Sequence, residues 1–386
     1  MTASAPRTTS SWMTPELESL RDQFGRFLEA ELKPHAARWR RQRMIDRSAW
    51  TALGGMGALG AAIPEEWGGS GGDVYQEMVL LDTINRHCSD LANGYSVHSG
   101  IVTHYVLTYG TEDQKRRWLP KLCSGEWIGA IAMTEPGGGS DLQALTTRGR
   151  RDGDDYVIDG QKTFITNGIA ADLVLVAVRI DGTPGAKGIS LIGVEKGAPG
   201  FQPGRPLEKI GLHAADTAEL FFDGARAPVD NLLGGIEGRG FYQMMEQLPR
   251  ERLILAVGAV AAMEHAVEIT RAYVHERKAF GKTLFDFQTI SFRLAELATE
   301  AHIARVFVDD CLVKLAENRL DNVTASMAKW WCSERQVQTV DACLQMFGGY
   351  GYIEETEIAR MYTDARIQKI YGGANEIMKM LIARSL

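Results

Sequence analysis

Tyr156-Val157-Ile158-Asp159-Gly160-Gln161-Lys162-Thr163-Phe164-Ile165-Thr166-Asn167-Gly168 carries a change of texture that organises the whole chain. Two short β-rich runs, 156–158 and 163–166, are punctuated by Asp159-Gly160 and Asn167-Gly168, dipeptides that favour tight turns. The same texture continues through 173–179, the turn dipeptide Asp181-Gly182, 188–194 and 219–222. No long helical pattern interrupts these runs. They predict a small antiparallel β-barrel or sandwich rather than a doubly wound sheet.

On both sides the period becomes helical. Thr14 followed by Pro15 is a helix start, a capping hydroxyl and then a proline whose missing N–H costs nothing at the first helical position. Leu17, Leu20, Phe24 and Phe27 follow at helical spacing until Pro34, and helical patterns continue through 76–85 and 97–122. After Phe241 the helical period returns. Ile290, Leu294, Leu297, Ala301, Ala304, Val308, Cys311 and Leu315 form the seam of a packed bundle helix, and a second long helix is predicted over 323–347. The expected class is α+β in the order α, β, α. It comprises a disordered tip at 1–12, an N-terminal helical domain at 13–128, a central β domain at 129–235 and a C-terminal four-helix bundle at 236–386.

Composition narrows the function. With 386 residues, 45% hydrophobic and 24% charged, the chain is neither wholly disordered nor fibrous. A net charge of −7 argues against a chain-wide footprint for nucleic acid. Five cysteines without a CxxC pair suggest no zinc knuckle, no other metal site and no disulfide framework, so a reducing, cytoplasmic setting is expected. The most apolar stretch, 253–263, is too short for a membrane span and predicts a buried core helix. Glycine is abundant, 41 residues against 12 prolines, and clusters at 54–72, 137–139 and 348–373. Clustered glycine brings backbone close to something.

The chemistry-bearing stretch is Met133-Thr134-Glu135-Pro136-Gly137-Gly138-Gly139-Ser140-Asp141, with Lys162 to Gly168 behind it. A proline before three glycines forces an irregular backbone whose N–H groups face either a ligand or merely an interdomain turn. It is not G-x-G-x-x-G, and no nicotinamide-type Rossmann fingerprint occurs in the chain. The passage resembles the flavin-binding signature of the acyl-CoA dehydrogenase family. Three more stretches resemble that family in order: His275 to Lys282, Gln345 to Gly351, and Asp364-Ala365-Arg366 running into Tyr371-Gly372-Gly373-Ala374-Asn375-Glu376-Ile377.

That resemblance implies FAD and an acyl thioester, on CoA or on acyl carrier protein, with the flavin between the β region and the C-terminal bundle. It implies that Met133, Thr134, Gly139, Ser140, Phe164 and Thr166 line the isoalloxazine ring and its substrate face. It sets Arg277, Phe280, Gln288, Gln345, Gly348 and Gly349 on the FAD of a neighbouring subunit, which requires a homo-oligomer, typically a tetramer. Arg277 read without the family is a solvated helix charge. Ala374 and Glu376 are expected at the cofactor, and Ser140, Arg252 and Tyr371 at the substrate. Electron-transfer flavoprotein is the expected acceptor.

Dehydrogenation needs a carboxylate to take the α-proton. In the commonest family pattern it directly follows the tyrosine near the C-terminus, where this chain has Gly372. A smaller branch, the long-chain and isovaleryl types, carries the glutamate on an earlier helix. Leu248-Pro249-Arg250-Glu251-Arg252-Leu253 resembles that branch and makes Glu251 the expected base. Glu251 is also expected to open the most apolar helix, where the helix end favours a carboxylate; the plainer reading is an ordinary first-turn acid facing water. The Gly372 N–H is expected to bind the thioester oxygen. Chain length is expected to depend on a pocket lined partly by 94–101 and 242–245. The basic stretch Arg38, Arg40, Arg41, Arg43 and Arg47 reads either as a carrier-docking surface or as a solvated helix face. The competing functions are a flavin-free thioester-binding or assembly protein and an oxygen-using acyl-thioester oxidase.

Overall fold

The computed structural model describes residues 10–180, 183 and 185–386; the turn expected at Asp181-Gly182 and most of the expected disordered tip lie outside the described residues. The first part of the chain is helical: α1 (Pro15–Phe27), α2 (Ala36–Gln42), α3 (Arg47–Gly55), α4 (Val74–His87), α5 (Ser89–Tyr95), α6 (Thr103–Tyr109) and α7 (Glu112–Ser124). Thr14 starts α1 as its sequence predicts, its hydroxyl accepting from the Leu17 N–H at 3.3 Å. Between α5 and α6 the turns widen into a π-helix, Ser96–Val102. Buried His98 holds it in place: Nδ1 accepts from the Gly129 N–H at 2.9 Å, which leaves the Nε2 hydrogen to donate to the Leu122 carbonyl at 3.0 Å.

Seven strands follow: β1 (Gly129–Ala132), β2 (Arg148–Asp152), β3 (Asp155–Thr166), β4 (Leu173–Ile180), β5 (Ile189–Glu195), β6 (Phe201–Pro206) and β7 (Thr217–Pro228). They form one curled sheet. The antiparallel expectation needs correcting at β4, whose nearly continuous apolar run is buried on both faces. Strands β1 and β2 pair with it in parallel, while β5 runs antiparallel along its length. Asp159-Gly160 is not a turn. It lies inside β3, where the register against β7 shifts at a bulge and a β-carbon at 160 would run into Thr147.

Beyond the sheet come α8 (Gly240–Glu276), a hairpin of β8 (Lys278–Ala279) and β9 (Lys282–Thr283), α9 (Gln288–Ala316), α10 (Asn322–Phe347), α11 (Glu357–Ala365) and α12 (Asn375–Ala383). By length and composition α8 is apolar enough to cross a membrane, but 61% of that window is buried within the protein, as a core helix requires. The predicted seam of α9 is buried at Leu294, Leu297, Ala301, Ala304, Val308 and Cys311.

Packing divides the chain into two compact units. One comprises the described residues up to Arg26, Leu81–His87 and Pro249–Leu386; the other comprises Phe27–Leu80 and Cys88–Leu248. The first is a helical unit built around α8, α9 and α10, whose core includes Ala266, Leu297, Val340, Cys343 and Ile358. The second holds the sheet with α2, α3, α5, α6, α7 and the first half of α4. Apolar clusters in it centre on Val174, Val176 and Leu220 and on Trp118, Leu175 and Leu191. All five cysteines are buried and unpaired.

Candidate active site

In the sheet-bearing unit, the loop after β1 is fastened from below. Lys162, fully buried in β3, donates to Glu135 Oε1 at 2.8 Å and to the Met133 carbonyl at 3.2 Å. Glu135 also accepts from the Thr146 N–H at 2.6 Å and the Thr147 N–H at 2.9 Å, and the Thr163 N–H donates to the Thr134 carbonyl at 2.9 Å. Burial pushes the Glu135 carboxyl up, but the hydrogen bonds from Lys162, Thr147 and Thr146 and the Lys162 charge outweigh it and hold the group at about 2. Because that value lies below the ordinary 4.5, the stabilisation it carries is complete above pH 4.5 and drains away as pH falls toward 2. Thermal midpoints followed from about pH 6 to about pH 3 should fall more steeply for the wild type than for Glu135→Gln. Equal acid slopes would contradict this account.

Above the anchor, Gly137, Gly138, Gly139 and Ser140 are exposed, and a β-carbon at 137 or 138 would meet nothing. Phe164 is 67% exposed with φ at +59°, at the second register shift of β3 against β7. A bulky residue in the left-handed region costs about 1–2 kcal/mol. Holding an apolar ring out at that cost suits a flat aromatic ligand better than solvent. Two residues on, Asn93 Nδ2 donates to Thr166 Oγ1 at 3.2 Å, so the Thr166 hydroxyl keeps its own hydrogen for another acceptor. Met133 packs on the same apolar cluster as Val97, Ile101 and Met245, three side chains from the segments expected to limit chain length.

In the helical unit a second exposed group assembles where α8 ends, α9 begins and α10 ends. Tyr273 of α8 stacks on Phe347 of α10 with ring centres 4.2 Å apart, and the Arg277 guanidinium lies 5.9 Å from the Tyr350 ring centre. Phe280, 95% exposed, and Gly281 form the hairpin turn with both φ positive, a type I′ geometry in which phenylalanine is costly. Gln288 opens α9, while Gln345, Gly348 and Gly349 close α10, and all four are exposed. Ring contacts therefore join Arg277 to the end of α10 through Tyr350, and Phe280 to Phe287, the residue before Gln288, with ring centres 6.3 Å apart.

The remaining site residues lie elsewhere in the helical unit. The expectation for Glu251 needs one correction: it does not open a helix but sits about three turns inside α8, past Pro249, because the helix already starts at Gly240. The helix-end argument for its charge therefore lapses. Glu251 is buried, and Arg252 beside it is 3% exposed, donating to Asn322 and to Ser326 Oγ at 3.0 Å while its Nε has no partner. Gly372 and Gly373 form a turn with φ of +62° and +92°. A β-carbon at 372 would overlap Leu255 Cδ1. Leu255 lies four residues after Glu251 on the same helix face. Tyr371 and Ala374 are half-buried, and exposed Glu376 lies in the first turn of α12.

Sequence reading missed the lysine under this turn. Lys329 of α10 is fully buried and donates to the Gly373 carbonyl at 2.7 Å and to Asn375 Oδ1 at 3.0 Å. Burial and the Arg252 charge pull its ammonium down to about 7. The basic stretch, by contrast, is largely spent on ion pairs: Arg38 with Asp46, Arg40 with Asp90 at 2.6 Å, Arg43 with Glu208 at 3.1 Å and Arg47 with Asp172. Among the described residues, no group of three or more His, Cys, Asp or Glu side chains is arranged to hold a metal.

Comparison with known proteins agrees along the chain. The family described as acyl-CoA dehydrogenase, N-terminal domain, matches residues 14–126; the middle domain matches 130–225 and the C-terminal domain 238–386. The long-chain specific acyl-CoA dehydrogenase of Sus scrofa mitochondria is 46% identical over 373 residues, covering 96% of this chain and 86% of that one. The crystal structure of an acyl-CoA dehydrogenase from Geobacillus kaustophilus superimposes with a TM-score of 0.95 at 47% identity, covering 98% and 99% of the two chains. A prolyl acyl carrier protein oxidase superimposes with a TM-score of 0.90 at 30% identity, covering 97% and 99%.

Proposed function

Because the chain belongs to the acyl-CoA dehydrogenase family, whose members are flavin-dependent oxidoreductases, we propose that it uses FAD to convert an acyl-CoA into the trans-2-enoyl-CoA, with Glu251 as the base. The observation that carries the assignment of the base is the Gly372 turn. Glycine at this positive φ offers no carboxylate and strains any side chain put in its place, whereas Glu251 stands one helical turn before Leu255, which the turn packs against, on the same face. The exposed loop residues of the sheet-bearing unit would hold the flavin. The surface around Arg277 and Phe280 would reach a neighbouring copy's flavin in an oligomer, for which we adopt the tetramer.

The bound flavin supplies an acceptor for the β-hydrogen and its electron pair. The chain's own residues do the proton chemistry. Gly372 N–H donates to the thioester oxygen, so charge arriving there on loss of the α-proton is stabilised and the proton is acidified. Glu251 takes that proton. Glu251 is 9% exposed, which limits competition from water. CoA is the proposed carrier and electron-transfer flavoprotein the proposed acceptor.

Anaerobic titration of the yellow holoprotein with acyl-CoAs of graded length and branching should bleach the flavin with at least one of them. Aerobic turnover should yield far less than one peroxide per enoyl product. Failure to bleach with any CoA ester would overturn the reading, and bleaching only by acyl carrier protein esters would move the carrier. Stoichiometric peroxide would favour the oxidase, the chemistry named for one of the structural neighbours. A colourless protein that takes up no FAD would favour a binding or assembly role.

A further inference from the structure

The turn that presents Gly372 is held by a residue with no role in the chemistry just described. Gly372 and Gly373 both adopt positive φ, a conformation that glycine enters freely and leaves as freely. Something must select one arrangement. Five side chains of the helical unit form a network behind the turn. Lys329 donates to the Gly373 carbonyl at 2.7 Å and to Asn375 Oδ1 at 3.0 Å, and Ser333 Oγ lies 3.1 Å from the same amide oxygen. The other end of that amide is also held, with Asn375 Nδ2 donating to Glu334 Oε2 at 3.2 Å. Glu334 in turn accepts from Lys369 at 2.7 Å. Lys329, Ser333 and Glu334 all belong to α10, and Asn375 is the first residue of α12.

We propose that Lys329 is a positioning residue for dehydrogenation: by clamping the Gly373 carbonyl and the Asn375 amide it fixes the two-glycine turn and so aims the Gly372 N–H at the thioester oxygen. The inference rests on the proposed role of that N–H. Taking a lysine out of water is expensive, and methionine would fill the same space without that cost. The tie to the turn accounts for its retention. A donor aimed at developing charge loses much of its effect when displaced by a fraction of an ångström, so the expected loss is in the proton-abstraction step and not in ligand affinity.

The test uses holoenzyme and 3,3-dimethylbutanoyl-CoA, which has α-hydrogens but no β-hydrogen to surrender, so exchange of its α-hydrogens for solvent deuterium reports proton abstraction alone. Lys329→Met should slow exchange per bound flavin by about tenfold or more, with flavin content retained and the Kd of the ester changed by less than about threefold. Asn375→Ala, which removes one of the two acceptors, should give a smaller loss and serves if Lys329→Met does not fold. Exchange per flavin at the wild-type rate in either folded variant, whatever happens to the melting temperature, would reduce the clamp to a structural tie and overturn the proposal. The underlying reading fails separately: if Glu251→Gln still exchanges, the base is misassigned, whereas a silent Glu251→Gln beside a fully active Lys329→Met sinks the positioning role alone.

Discussion

Glu251→Gln should yield a protein that purifies yellow with wild-type flavin content and is no longer bleached by acyl-CoA on the enzymatic timescale. The substitution keeps size, shape and hydrogen-bonding reach while removing the ability to accept a proton, so binding and cofactor retention are expected to survive. General-base contributions span about 10²–10⁴-fold, and with no second carboxylate at position 372 the upper part of that range is expected. The rival carboxylate makes a useful control. Glu376 is exposed in the first turn of α12, where it favours the helix end, and Glu376→Gln should change the bleaching rate by no more than a few-fold while weakening flavin retention. Bleaching by Glu251→Gln within tenfold of wild type would remove Glu251 from the mechanism. A large loss confined to Glu376→Gln would transfer the role there.

Periodicity carried the helical parts of this chain and misread some of the sheet, for identifiable reasons. The Thr14-Pro15 start and the α9 seam depend on residues within a turn or two of each other, so a linear reading contains them. Asp159-Gly160 looks like a turn locally, but the backbone there answers to β7 across the sheet and to Thr147 pressing from β2's side, neither of which is adjacent in sequence. Strands β1 and β2, Gly-Ala-Ile-Ala and Arg-Gly-Arg-Arg-Asp, carry one β-branched residue, Ile131, and no aromatic between them, too little to announce a strand; β4 recruits them by offering one edge to both. The same limit applies at the site. Motif resemblance nominated the loop and turn residues, and ring contacts join two of the segments around Arg277 to their neighbours. It could not nominate Lys162 or Lys329, since each is defined by a partner 27 or 44 residues away. Glu251 was nominated with the wrong local support, because Pro249 looks like a helix boundary and is instead accommodated within α8.

Lys162 carries the largest stability effect expected from a single substitution. Its ammonium is fully buried, and burial draws it down to about 8 against the pull of the Glu135 charge, so at neutral pH the pair remains ionised. Replacing it with methionine preserves volume but strands the Glu135 carboxylate, 6% exposed, with only the Thr146 and Thr147 donors. Breaking a buried pair from one side costs about 3–5 kcal/mol, which for a unit of this size lowers the thermal midpoint by roughly 10 °C. Removing both charges is cheaper than removing one. Glu135→Gln with Lys162→Met should therefore melt higher than Lys162→Met alone, because the glutamine oxygen can still accept from one of the two threonine N–H groups without an uncompensated charge. Flavin retention should follow the loop and not the melting temperature. Lys162 also holds the Met133 carbonyl, so both variants should release flavin more readily than wild type even where the double variant recovers stability. Calorimetry together with flavin release on dilution separates the two effects. A Lys162→Met midpoint within about a degree of wild type, or a double variant no more stable than the single, would show that this pair does not anchor the loop.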